Sequence, residues 1–227
     1  MALLQHKQGV GTVVTSFGLA FTSNVTAGSL LVCASYITDV SGPTSVTDTP
    51  TQTYTVDVRQ DQVANGNENS IWSTPNSVAG ANTLTTSTSS AFTHRNTILE
   101  YSGMATSTPK DQSNSADNSG ATSLASGNIT TTQADEVLIC LFSSGAADTY
   151  TADGAFTVEE TILVGAGVNR AQTQDRVVTS TGTYSNTSSI AGAAKNLTSC
   201  IVSYKATAAV VSSNLIIPVM RVPLVSG

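Results

Sequence analysis

Residues 52–61 read QTYTVDVRQD: Tyr54, Val56 and Val58 fall on one side of the chain, and Thr55, Asp57 and Arg59 on the other. A period of two belongs to a β-strand with one face against a core, because successive side chains leave an extended backbone in opposite directions. Runs of the same kind recur at NSIWST (69–74), ANTLTTST (81–88), THRNTILEYSG (93–103), DEVLICLFSS (135–144), QDRVVTST (174–181) and TSCIVSYKA (198–206). Turn formers separate them, as in SGPTS (41–45), VANGNEN (63–69), TADGAF (151–156) and STGT (180–183). SLLVCASYI (29–37) is almost continuously apolar, the mark of a central strand buried on both faces. No window carries an apolar stripe of helical period and length.

This spacing predicts an all-β chain forming a single antiparallel β-sandwich, jelly-roll-like or alternatively immunoglobulin-like. We expect an N-terminal arm or first strand over residues 1–20, a sandwich over 21–206 and an extended apolar arm over 207–227.

Composition fits that reading. Of 227 residues 40% are hydrophobic, enough for a core, but only 11% are charged. A typical domain carries about a quarter. Ser, Thr, Asn and Gly solvate the surface instead. The net charge of -6 excludes the basic footprint that nucleic acid demands. No run approaches the ~18 apolar residues of a membrane helix. The start, MALLQHKQGVGTVVTSF, lacks the apolar core of a secretory signal, so synthesis in a cytoplasm is the expectation. Cys33, Cys140 and Cys200 each sit in an apolar run and read as small buried hydrophobes. Residues 109–132 read as the loosest part, a long surface loop or an irregular edge. Asp111, Asp117 and Asn118 supply hard oxygens there, without the spacing of a calcium loop, so no metal is expected.

The succession NVTAGSLLVCASY (24–36), ILEYSGM (98–104), SGNITTTQADEVLI (126–139) and IVSYKA (201–206) resembles a β-sandwich module of bacterial secreted and surface proteins and of phage structural proteins. A strand end like LEYSG and a strand start like TTxxNELL mark that module. The resemblance spans about residues 20–206 and implies a fold and a setting, not a reaction.

The residues themselves offer little chemistry. His6 and His94 are the only histidines, and no Gly-x-Ser-x-Gly elbow accompanies them. Glu159 and Glu160 are adjacent in a strand and so should face opposite ways. Glu100 reads as a strand-end carboxylate bonded to backbone or to Arg95, with a general acid as the outside case. VGAGVN (164–169) leads into a strand and not a helix, so it is no phosphate loop. No catalytic residue and no cofactor is assigned. Trp72 and Tyr101, ahead of Tyr54, Tyr150 and Tyr184, are the candidates for stacking on a sugar ring.

The carboxyl-terminal stretch ATAAVVSSNLIIPVMRVPLVSG (206–227) is the exception to this polar chain. Pro218 and Pro223 exclude both a regular helix and a central strand. An extended dozen residues reaches about 40 Å. Leu215, Ile216, Ile217, Val219, Met220, Val222 and Leu224 would form an apolar ribbon, and burying five of them is worth about 8–12 kcal/mol before ordering costs. Docking onto another chain is the expected resolution, with a last strand folded onto its own sandwich as the alternative. Taken together, these features predict a non-enzymatic structural protein of a phage virion, a capsid decoration protein or a head-fibre or tail component. It would form a homo-oligomer, a trimer for preference, and bind other virion proteins. The alternative is a carbohydrate-binding or host-attachment module at a cell surface.

Overall fold

All eight residues of β2 (Leu30–Ile37) are buried. An antiparallel strand reaches that state only where other layers cover both its faces. A computed structural model of the chain describes residues 1–145, 149–162 and 170–208, and it supplies those layers.

The first sheet runs β1 (Ala2–Ala20), β6 (Thr83–Ser102), β2, β5 (Asn67–Thr74), β4 (Thr55–Gln62), with β3 (Ser45–Asp48) also paired to β6. The second runs β12 (Thr157–Ile162), β13 (Arg170–Thr179), β10 (Asp135–Ser144), β16 (Lys195–Lys205), β7 (Lys110–Ala121). Every pairing in both sheets is antiparallel. The all-β sandwich is therefore as the sequence indicates, and no helix occurs among the described residues. Its connectivity is not the interleaved Greek key of a jelly roll or an immunoglobulin domain. The first sheet is drawn from residues 2–102 and the second from 110–205. Neither sheet can bury its inner face alone, so the two halves make one core.

That core joins Leu30, Val32, Tyr36, Leu99 and Tyr101 of the first sheet to Val137, Ile139, Leu141, Val202 and Tyr204 of the second. The alternate residues of the same strands face outward and are buried too. Leu31, Cys33 and Ile98 are covered by Leu19, Phe21, Val46 and Leu84. This outer layer arises because the β1–β6 ribbon folds over on itself near Val14, where the register shifts twice. Lys7 Nζ consequently donates to the Ala20 carbonyl at 3.0 Å. On the second sheet, Leu138, Cys140 and Ile201 lie under Ile129 and Phe156, and Phe142 and Leu197 under Leu124, Tyr150 and Ile190. The covering strands there are β8 (Ser123–Ala125), β9 (Ile129–Thr130), β11 (Tyr150–Thr151), β14 (Thr183–Tyr184) and β15 (Thr187–Ile190).

His94 holds the fold of the ribbon. Its Nδ1 lies 2.8 Å from Thr86 Oγ1, and its Nε2 lies 3.1 Å from the Val14 carbonyl. The carbonyl can only accept, so Nε2 carries the proton and Nδ1 accepts from the threonine. Burial lowers the pKa of this ring from its ordinary value.

The segment from 109 is an edge and not a loop. β7 pairs with β16 despite its run of Ser, Asn and Asp, because a ready-made neighbouring strand overrides weak propensity. The three thiols are free and wholly buried, and burial pushes the Cys140 thiol up to about 12.

Candidate functional site

The sandwich has two open sides, one where β1 lies over β12 and one where β4 lies over β7. Ionisable side chains gather at both.

At the first side the determining feature is a register shift in β12 between Val158 and Glu160. In a regular strand Glu159 and Glu160 would point apart. The bulge re-aims them, and both reach His6 of β1. His6 Nδ1 lies 3.0 Å from Glu160 Oε1, and its Nε2 lies 3.6 Å from Glu159 Oε2. The expectation that the two glutamates face opposite ways is thereby corrected. Behind them, the carboxyls of Glu159 and Asp175 lie close enough for each to shift the other's proton affinity. Tyr101 Oη also donates to Asp175 Oδ2, at 2.8 Å. Burial raises the Glu159 carboxyl to about 7, helped by the charge of Asp175 and of Glu160 and opposed by His6. Asp175 is raised by burial as well, and the Tyr101 and Glu159 donors hold it partly down.

At the second side β4 has its own irregularity, between Val56 and Val58. The clean alternation of residues 54–59 breaks there. Tyr54 is buried, but Val56 is 46% exposed and Asp57 turns inward. Asp57 Oδ2 accepts from Ser73 Oγ at 2.5 Å and from Tyr204 Oη at 2.6 Å, while Lys110 Nζ donates to the Asp57 carbonyl. Burial raises this carboxyl and its donors pull it back. Asp57 also lines an open cleft of about 420 Å³ with Thr55, Pro75, Thr108 and Lys110. Apolar walls with a few fixed polar groups are the usual make-up of a small-ligand pocket. A second cleft, about 490 Å³, lies beside Asp48 and Tyr54. Asp48 is occupied there, accepting from Gln52 N at 2.8 Å and Asn82 Nδ2 at 2.9 Å.

The residues nominated from the sequence are placed as follows. Tyr101 is 1% exposed, inside the core with its hydroxyl on Asp175. A ring enclosed between two sheets cannot stack on a sugar, and that assignment is withdrawn. Trp72 is half-buried against the outer layer of the first sheet and donates from Nε1 to Ser70 Oγ at 3.0 Å. Tyr54 and Tyr150 are buried. Glu100 is buried and accepts from Thr26 N at 2.7 Å, Ser29 Oγ at 2.9 Å and Gln5 Nε2 at 2.6 Å. It ties a loop to two strands, through backbone as expected and with no bond to Arg95. Arg95 is buried instead with its guanidinium 5.2 Å from the Tyr36 ring centre.

Asp111 is bonded to Thr132 and Asp117 to Gln60 and Gln62, so these carboxylates serve separate partners and do not converge. Residues 164–169 and the apolar stretch with Leu215, Ile216, Ile217, Val219, Met220, Val222 and Leu224 lie outside the described residues. Sequence reasoning missed both edge clusters. Bulges carry no dependable sequence signal, and those at Val56 and Glu159 created them.

No helix among the described residues is long and apolar enough to cross a membrane. No protein-family model, no curated protein and no solved structure matches this chain.

Proposed function

We propose that the chain is a non-enzymatic structural protein of a phage virion, a capsid decoration protein or a head-fibre or tail component, which docks through its apolar carboxyl-terminal segment. The observation that carries this reading is that the core is complete without that segment. Among the described residues, the central strands of both main sheets are already covered on both faces. Few large apolar side chains are left exposed among the described residues, Leu4, Val13 and Val63 among them. Seven apolar residues between Leu215 and Leu224 need a dry surface, and on this reading another chain provides it. A closed homo-oligomer, a trimer for preference, and attachment to other virion proteins both meet that need. The hydroxyl-rich, weakly charged surface and the resemblance of residues 20–206 to modules of phage structural proteins point the same way. Quantitative mass spectrometry of purified particles tests it: a fixed, stoichiometric copy number is expected, and absence from particles contradicts it.

A second reading, glycan binding, is favoured by the cleft at Asp57 and Lys110. A carboxylate acceptor and an ammonium donor between proline walls suit a neutral polyol. Under that reading Asp57→Asn abolishes retention on immobilised glycans. Under the first it changes nothing at particles.

A further inference from the structure

We infer that His6, Glu159, Glu160 and Asp175 form a proton-operated clasp that closes the β1/β12 side of the sandwich in acid and releases it in alkali. Among the described residues, the polar side-chain links from β1 to the second sheet are those of His6. β1 pairs only with β6 and β12 only with β13, so each is the last strand of its sheet and no ladder bonds join them. Whatever holds this side shut, beyond the apolar core, is the cluster.

Its charges decide when it holds. The groups facing Glu159 are His6 from β1, Glu160 from its own strand, Asp175 from β13 and, through Asp175, Tyr101 from β6. With a proton between them, Glu159 donates to Asp175, Tyr101 donates to the same carboxylate, and Glu160 receives the imidazole Nδ1–H. The three carboxyls then carry one negative charge fewer than when all are ionised. Once the shared proton has left, three carboxylates crowd one partly dry site beside the His6 ring, where repulsion is poorly screened. The Glu159 and Glu160 side chains are only 10% and 22% exposed.

The sign follows from linkage. The folded-state pKa of Glu159, about 7, lies above its ordinary 4.5. The folded chain therefore keeps a proton that the unfolded chain has lost. The resulting stabilisation is full below pH 4.5 and gone once pH has risen through 7.

Hydrogen exchange of the full chain, read by mass spectrometry at pH 6.0 and pH 8.5 and corrected for the intrinsic rate, tests the clasp. Peptides from residues 2–11 and 157–162 should open about tenfold or more readily at the higher pH, while residues 30–37 stay protected at both. In Glu159→Gln the amide still donates to Asp175 but cannot ionise, and the two pH values should agree within about twofold. Equal protection of the wild type at both pH values overturns the proposal, as does an unchanged pH effect in Glu159→Gln. Should that variant not fold, carboxyl carbon NMR of the wild type decides. Titration of Glu159 between pH 6 and 8 supports the clasp, and titration near 4.5 overturns it.

Discussion

Tyr101 of the first sheet and Asp175 of the second meet inside the sandwich, hydroxyl to carboxylate at 2.8 Å, and both are buried. One end of that bond is the residue we nominated from the sequence for sugar stacking. The other is the inner member of an acid pair. An apolar interior tolerates such a carboxylate only while its donors persist. Tyr101→Phe should therefore lower the unfolding free energy by about 1–3 kcal/mol, measured by urea denaturation at pH 7. No change in cooperativity is expected, since the ring still fills its site.

Glu68 makes a second pair of this kind. It stands opposite Asp61 across β4 and β5, with Arg59 Nη2 at 2.5 Å. Burial raises its carboxyl to about 8 against the pull of Arg59. Because the folded value exceeds the ordinary 4.5, its stabilisation is present in acid and lost as pH rises through 8. The melting temperature should fall between pH 6 and pH 9, and Glu68→Gln should flatten that fall. Gly42→Ala is a companion test. Its φ of +57° disfavours a side chain, and a methyl there would overlap the Glu68 carboxylate. The variant should lose about 2 kcal/mol or more.

His94 works with the opposite sign. Its folded pKa lies below the ordinary 6.5, so as pH falls the unfolded chain takes up a proton first. Stability is held above pH 6.5 and lost as pH drops through the folded value. Replacing it with Ala should cost about 2–4 kcal/mol and loosen the ribbon at residues 12–15 and 88–91, detectable by limited proteolysis.

Glu100 ties the loop before β2 by two hydrogen bonds, one of them from the backbone N–H of Thr26, and β1 by a third from Gln5. Glu100→Ala should lower stability by about 2–4 kcal/mol, and Glu100→Gln should cost no glycan hydrolysis, an outcome the general-acid alternative forbids.

Much of the fold was legible because β-strands announce themselves by period and turn chemistry. The unbroken run in residues 29–37 correctly reported a strand covered on both sides, and the three cysteines were correctly read as core. What covers β2 was not legible. The doubling back of β1 and β6 depends on long-range bonds such as His94 to Val14, which no local pattern encodes. Residues 110–121 left a loop and an irregular edge both open because their composition disfavours strands, and the waiting edge of β16 decided for the edge. The edge clusters were the hardest to foresee. A one-residue bulge reverses every side chain beyond it, turning Asp57 inward and bringing Glu159 and Glu160 together.

The role of the apolar carboxyl-terminal segment is the claim on which the proposed function stands. Sedimentation velocity of the full chain, beside the variant Leu215→Asp/Ile217→Asp and a chain ending at Ala208, tests it most directly. The full chain should sediment as a closed oligomer of its 23.2 kDa subunit, and both altered chains as folded monomers. A monomeric full chain, or an oligomer that survives both changes, would contradict it.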